Sequence, residues 1–117
     1  MDLIELRTYC MTKPHTTESF PFGADVLVFK VANKMFLLTD INDLEPSINL
    51  KCDPENAEEL REHHPEITPG YHMNKKMWNT VSLSGRLSDD FIKEMIDESY
   101  RLVVESLPKK IRLELFP

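Results

Sequence analysis

The residues best suited to bind a charged partner lie in one stretch, residues 67–88, which holds no Asp or Glu in a chain of formal net charge −6. This stretch contains Lys75, Lys76 and Arg86 together with Trp78, the single tryptophan of the chain. Basic side chains attract phosphate groups, and an exposed indole can stack on a nucleic-acid base. The combination predicts a nucleic-acid-binding turn on an otherwise acidic protein.

Further basic and amide side chains extend this candidate surface. Lys30 and Lys51 are expected to point off their strands, and Lys34 is expected in a hairpin turn. Lysine holds phosphate as a point charge and positions a nucleic acid, whereas asparagine amides can read adenine edges. The predicted nucleic-acid-binding residues are therefore Lys30, Lys34, Lys51, Asn74, Lys75, Lys76, Trp78 and Asn79.

Each of these residues also has a purely structural interpretation. Lysines are ordinary on the solvent faces of strands, and a tryptophan at the start of a strand commonly packs against the core. An asparagine beside a tight turn, such as Asn74, often bonds to its own backbone. Gly70 is expected to occupy a turn that needs a positive φ. Both interpretations stay open at the level of the sequence.

No residue pattern indicates an enzyme or a metal protein. No serine stands in a nucleophile elbow, and three glycines leave no phosphate-binding loop. Cys52 precedes a predicted helix, where the pKa of a thiol could fall, but it has no committed histidine partner. His63, His64 and His72 provide no i, i+4 pair of ligands. The chain is predicted to be non-catalytic and to hold neither a metal nor a cofactor.

Length and composition indicate one small domain. The chain has 117 residues, of which 41% are hydrophobic and 29% are charged, and these values are typical of globular proteins. Its longest apolar runs are only a few residues long, so neither a membrane span nor a signal peptide is expected. Cys10 and Cys52 stand singly, which predicts reduced thiols and a cytoplasmic location.

Capping residues and hydrophobic spacing predict three helices and five strands. Helices are expected after Asp2, Asp53 and Ser88, because each side chain can accept from the free backbone N–H groups of a first helical turn. Strands are expected at residues 26–31, 35–39, 47–51, 67–70 and 78–83, where β-branched and aromatic residues are frequent. Residues 16–23 are expected to form a loop, and the tail (residues 110–117) to form a short strand or to dock loosely.

This order predicts a single α+β domain that spans residues 1–117. The elements follow one another as α-β-β-β-α-β-β-α, which favours a mostly antiparallel sheet packed against helices. In the first strand Leu27, Phe29 and Val31 are expected to share one face and Lys30 to lie on the other, because side chains alternate along a strand.

Three stretches of the chain resemble the MmcQ/YjbR family. They are Glu18-Ser19-Phe20-Pro21-Phe22-Gly23 with the strand after it, Asn49-Leu50-Lys51-Cys52-Asp53-Pro54-Glu55, and Pro69-Gly70-Tyr71-His72-Met73-Asn74-Lys75-Lys76 followed by Trp78-Asn79-Thr80-Val81. The resemblance covers about residues 2–110. It implies the double-wing, secretion-chaperone-like α+β fold of these small bacterial and archaeal proteins, and the DNA-binding label that they commonly carry. Met77 departs from the pattern, since histidine is frequent in the family before this tryptophan.

The sequence therefore favours a small cytoplasmic binding protein of the MmcQ/YjbR type with DNA as its partner. The alternative is a protein-interaction or chaperone-like adaptor module that does not bind nucleic acid. The acidic helices at residues 53–66 and 89–98 would suit a basic protein partner in that case. Lysines that cluster away from Asp40, Asp43 and Glu45 would favour nucleic acid, whereas an exposed apolar patch would favour a protein.

Overall fold

A computed structural model describes residues 1–70 and 73–117 of the chain. Tyr71 and His72, which belong to the family-like motif, lie outside the described residues. The prediction that His72 is not a metal ligand therefore concerns a residue that the structure does not describe. The helices are α1 (Leu3–Met11), α2 (Pro54–His63), α3 (Asp89–Glu105) and α4 (Lys109–Leu115). The strands are β1 (Thr16–Ser19), β2 (Val26–Val31), β3 (Lys34–Asp40), β4 (Ser47–Lys51), β5 (Ile67–Pro69) and β6 (Trp78–Ser82). Within these described parts, no helix has both the length and the apolar content needed to cross a bilayer.

The three predicted helix starts carry the expected side-chain caps. Asp2, Asp53 and Ser88 each accept a hydrogen bond from a backbone N–H two or three residues further along the chain. These bonds satisfy donors that the first turn of a helix leaves free. The caps therefore determine where α1, α2 and α3 begin.

Within the described residues, six strands form one antiparallel sheet in the order β1-β2-β3-β4-β6-β5. The β2–β3 hairpin closes through Ala32 and Asn33, whose φ angles of 49° and 65° lie in the left-handed region. Two successive left-handed residues give a turn whose twist matches that of the paired strands. The hairpin places Lys34 at the first position of β3.

Alternation along the strands gives the sheet two faces, because residues paired directly across neighbouring strands share a face. Helix α3 contacts β2, β3 and β4, while α1 contacts β1 and α2 contacts β5. The face under these helices, called here the helix face, carries Leu27, Phe29, Val31, Leu37, Ile48, Leu50, Ile67, Asn79 and Val81. The other face, called the lysine face, carries Val28, Lys30, Leu38, Asn49, Lys51, Trp78 and Thr80.

The hydrophobic core fills the space between the helix face and the helices. Phe29 and Phe36 are fully buried with ring centroids 6.4 Å apart, and Ile96 of α3 is fully buried in the same cluster. The buried hydroxyl of Ser99 donates to the Phe36 carbonyl oxygen at 2.5 Å and accepts from the Lys51 backbone N–H at 2.9 Å. Helix α3 is therefore joined to β3 and β4 by apolar packing and by two hydrogen bonds.

The predicted α+β class with an antiparallel sheet is confirmed, but the expected loop at residues 16–23 is wrong in its first half. Residues Thr16–Ser19 form β1, which pairs with β2 at the edge of the sheet. A strand of four polar residues shows no hydrophobic alternation, so the pattern that identifies half-buried strands is missing there.

The expectation of a strand or a loose end in the tail is also wrong. Pro108 begins helix α4, Phe116 packs against the core, and a ring nitrogen of His15 lies 2.8 Å from the Leu115 carbonyl oxygen. Apolar residues at 111, 113 and 115 suggested a strand, but so short a run fits either a helical or a strand period.

Candidate nucleic-acid interface

Two of the predicted lysines and the tryptophan form a row across the lysine face. Lys51 on β4 pairs directly with Trp78 on β6, and Lys30 on β2 pairs with Met35 on β3. Lys30 and Met35 lie beside the β2–β3 hairpin, and Lys51 ends β4 where Trp78 begins β6. The row therefore runs along the same end of four neighbouring strands.

The loop that precedes β6 presents two further amines beside this row. Asn74 shapes the loop: its carbonyl oxygen accepts from the Trp78 backbone N–H at 2.9 Å, and its Oδ1 accepts from the Lys76 backbone N–H at 3.0 Å. The side chains of Lys75 and Lys76 are both exposed. The chain thus leads directly from two exposed ammonium groups into the half-buried indole of Trp78.

Contacts from α2 and β4 hold this loop in place. Arg61 of α2 donates from Nη1 to the Lys75 carbonyl oxygen at 2.8 Å, and the Cys52 backbone N–H donates to the Met77 carbonyl oxygen at 2.8 Å. Arg61 carries no sequence signal for this role, because it lies 14 residues before Lys75 and no local pattern connects the two. Arg61 occupies the polar surface of a helix, where arginine is unremarkable in sequence.

The lysines of this surface take part in none of the ion pairs formed among the described residues. In residues 1–70 and 73–117, the ion pairs involve other groups, and none includes Lys30, Lys34, Lys51, Lys75 or Lys76. The acids Asp40, Asp43 and Glu45 lie at or beyond the opposite ends of β3 and β4. At about 3.3 Å per residue, the length of these strands separates the two charge groups by roughly 15–20 Å.

The two predicted amides do not join the lysines. Asn79 lies on the helix face with 2% of its surface exposed, and its Nδ2 donates to the Ala57 carbonyl oxygen at 3.5 Å. Asn79 therefore does not lie at the centre of the binding surface, where the sequence predicted it. Alternation along β6 points its side chain away from that of Trp78. Asn74 is exposed, but its Oδ1 is occupied by its own turn, as the structural interpretation expected.

Gly70 also differs from the expectation, because its φ is not in the left-handed region. A Cβ atom at this position would lie 2.8 Å from Trp78 Cβ and 2.9 Å from the Trp78 carbonyl oxygen. The Gly70 backbone N–H donates to that same oxygen at 2.8 Å. Glycine is required here because the backbone passes directly against Trp78, which it helps to position.

The cysteines are unsuited to nucleophilic chemistry. Burial raises the pKa of the Cys52 thiol, although the Asn56 amide beside it acts in the other direction, so the expected lowering by the helix start does not dominate. Burial raises the pKa of Cys10 to about 12. Among the described residues, no group of three or more His, Cys, Asp or Glu side chains could hold a metal ion.

An exposed apolar patch lies at the other end of the sheet from the lysines. Leu3 and Ile4 of α1 and Phe20 after β1 are 41%, 78% and 47% exposed, and they line one open hollow together with Leu27 and Ile41. This patch shares no residue with the lysine face.

Comparisons with known proteins place the chain in a family. The YjbR family model matches residues 11–102. The chain is 37% identical over 112 residues to the uncharacterized protein YjbR of Escherichia coli K12, covering 96% of this chain and 95% of that protein. It is 36% identical over 104 residues to the uncharacterized protein YbdF of Escherichia coli O157:H7, covering 89% and 85%.

Solved structures agree with the fold. A Deinococcus radiodurans protein, DR2400, which carries the family-model domain DUF419, has a TM-score of 0.92 at 44% identity, covering 97% of this chain and 86% of that one. A protein from Pseudomonas syringae has a TM-score of 0.78 at 32% identity, covering 88% and 99%. With the family model matching most of its length and close relatives matching end to end, this chain belongs to the YjbR family.

Proposed function

We propose that this protein binds nucleic acid through the lysine end of its sheet, using Lys30, Lys34, Lys51, Lys75 and Lys76 against phosphates and Trp78 against a base. The observation that supports the proposal is that five lysines lie at this end of the sheet without ion-pair partners in the described part of the chain. Lys30 and Lys51 belong to the lysine face, whereas Lys34 lies at the hairpin, where it pairs with Val31 of the helix face. An amine that is already paired would have to give up its carboxylate before it could hold a phosphate.

The charge distribution allows such binding in spite of the formal net charge of −6. Long-range repulsion between an acidic protein and phosphate weakens with distance and with salt, whereas a local basic patch acts at contact. Because Asp40, Asp43 and Glu45 lie at the far end of β3 and β4, a strand of nucleic acid can reach the lysines without passing over them.

The chemistry of the surface favours single strands and weak sequence preference. Lysines position the backbone without reading bases, and the buried Asn79 cannot reach a base edge. Stacking on Trp78 requires a base that is free to leave its neighbours, and one such stack contributes about 1–3 kcal/mol. We therefore expect single-stranded DNA or RNA to bind more tightly than a duplex of equal length.

The test is fluorescence anisotropy of labelled single-stranded and duplex DNA, titrated with the protein at two salt concentrations. Five phosphate contacts predict a log–log salt slope of about −3.5 on a single strand and about −4.5 on a duplex. Lys75→Glu/Lys76→Glu should weaken binding at least about tenfold, since each substitution replaces an attraction by a repulsion.

The matched control is Lys109→Glu/Lys110→Glu, which changes the same charge at two adjacent exposed lysines on α4. If this control weakens binding as much as the loop variant does, the contact surface is not the lysine end. Absence of binding at low salt would contradict the proposal outright. The exposed apolar patch formed by Leu3, Ile4 and Phe20 would then favour the alternative, a protein-interaction module.

A further inference from the structure

A pocket with a volume of about 240 Å³ lies on the helix side of the sheet, between α2 and α3. Leu50 and Val81 of the sheet, Leu60 of α2, and Phe91 and Met95 of α3 provide its apolar lining. The volume corresponds to about eight water molecules at roughly 30 Å³ each. It suits a ligand of one or two fused rings and is below the usual size of sites for drug-sized molecules.

A buried, unpartnered polar atom lies in this apolar lining. Asn79 borders the pocket with 2% of its surface exposed, and no donor from the described residues contacts its Oδ1. Its Nδ2 donates a long hydrogen bond of 3.5 Å to the Ala57 carbonyl oxygen, and Oδ1 is the acceptor that has no partner among the described residues. A buried acceptor without a partner is unfavourable, and leucine of similar size would avoid that cost. Oδ1 itself has almost no exposed surface, so a ligand N–H would supply the missing hydrogen bond after the amide turns its oxygen towards the pocket, which the long Nδ2 contact opposes only weakly.

The charged side chains around the pocket determine which ligand charge it favours. Glu94 and Glu98 of α3 belong to the lining. Glu98 is paired with Arg101, whereas Glu94 is exposed and forms no ion pair within residues 1–70 and 73–117. Lys51 also borders the pocket, but strand alternation assigns its side chain to the lysine face. The pocket is therefore more favourable to a neutral or cationic molecule than to an anion.

We propose that the α2–α3 pocket binds a small aromatic molecule that carries a ring N–H, neutral or with a cationic arm. The ring packs among Leu60, Phe91 and Met95, and the N–H donates to Asn79 Oδ1. An ammonium arm extends towards Glu94 at the mouth. The site is separate from the lysine end and does not depend on nucleic-acid binding.

The experiment is a titration of the ¹⁵N-labelled protein with four probes, followed by NMR: indole, 1-methylindole, tryptamine and indole-3-acetate. Indole should bind about fivefold more tightly than 1-methylindole, which has the same ring without the donor. Tryptamine should bind about fivefold more tightly than indole-3-acetate, because their arms differ in charge. The Asn79 side-chain NH₂ signal should shift with indole.

Two variants test which residues cause the two binding preferences. Asn79→Leu should abolish the preference for indole over 1-methylindole. Glu94→Lys should reverse the preference for tryptamine, whereas the control Glu59→Lys, an equal charge change at an exposed residue of α2, should not. Equal affinity of the unaltered protein for indole and 1-methylindole, or binding without a shift at Asn79, would overturn the proposal. Because the comparison of indole with 1-methylindole needs no substitution, it tests the proposal even if Asn79→Leu fails to fold.

Discussion

On the helix face, β6 places Asn79 and Val81 under α2 and α3, whereas on the lysine face the same strand places Trp78 opposite Lys51. The helix face is mostly apolar, is covered by helices except at the α2–α3 pocket, and is joined to α3 through Ser99. The lysine face ends in ammonium groups that form no ion pair within residues 1–70 and 73–117, beside a half-buried indole. Because one strand serves both faces, neighbouring residues along it have unrelated roles.

The comparison teaches that sequence proximity is a poor guide to a shared site in a sheet. Trp78 and Asn79 are adjacent, yet one belongs to the candidate nucleic-acid interface and the other to the α2–α3 pocket. Substitutions on the helix face should therefore change the free energy of unfolding, and substitutions at the lysine end should change binding. Paired substitutions on the two faces test this separation, and the largest effect is expected in the buried core.

Phe29 and Lys30 are neighbours on β2 that lie on opposite faces. Phe29→Ala should lower the free energy of unfolding by about 3–5 kcal/mol, because it removes a fully buried ring and leaves a cavity. Lys30→Ala should change it by less than about 0.5 kcal/mol. Urea denaturation measures both values. Similar losses for the two variants would show that the faces are not distinct.

Ser99 tests the polar connection on the helix face. Ser99→Ala should lower the free energy of unfolding by about 1–3 kcal/mol, because the Phe36 carbonyl oxygen and the Lys51 N–H both lose a buried partner. Ser84→Ala, at an exposed serine, should cost less than about 0.5 kcal/mol. A Ser99→Ala protein as stable as the wild type in the same denaturation experiment would argue against this role.

Cys10 makes the stability of the folded protein depend on pH in the alkaline range. Burial raises the pKa of its thiol from 9.0 to about 12 in the folded protein, so the unfolded chain loses this proton first as the pH rises. The contribution of the protonated thiol to the free energy of unfolding is fully present below pH 9. It is lost as the pH rises towards 12, at no more than about 1.4 kcal/mol per pH unit. Cys10→Ala should therefore show a flatter decline in stability above pH 9.

Chemical denaturation of the wild type and of Cys10→Ala at several pH values between 8 and 10.5 measures this difference. Tyr9 also has a raised pKa, about 12, because of burial, its hydrogen bond to Asp97 and the neighbouring Cys10. Loss of the Cys10 thiol therefore lowers the pKa of Tyr9 slightly, which flattens the decline of the variant in the same direction. Parallel curves for the two proteins would mean that the thiol titrates alike in the folded and unfolded states.

The sequence was sufficient for most of the fold. The caps at Asp2, Asp53 and Ser88 and the alternation of Leu27, Phe29 and Val31 act through neighbouring residues, so local pattern identifies them. β1 and α4 were not recognised because neither is long enough to show a clear period. Both depend on contacts made elsewhere in the chain, with β2 and with His15 respectively.

The candidate site was predictable only in part. The five lysines were identified from composition, and the opposite orientation of Trp78 and Asn79 follows from strand alternation. Which of the two is buried depends on where α2 packs, and the support of the loop by Arg61 joins residues with no local relation. The space between α2 and α3 is likewise a property of tertiary packing, so the sequence contains no sign of it.

The most direct test of the separation between the faces uses two adjacent side-chain N–H signals as reporters. The ¹⁵N-labelled protein is titrated with oligothymidylate, and the Trp78 indole N–H and the Asn79 NH₂ are followed by NMR. We predict that the Trp78 signal shifts while the Asn79 signal does not. A shift at Asn79 without one at Trp78, or no shift at either at low salt, would contradict nucleic-acid binding at the lysine end.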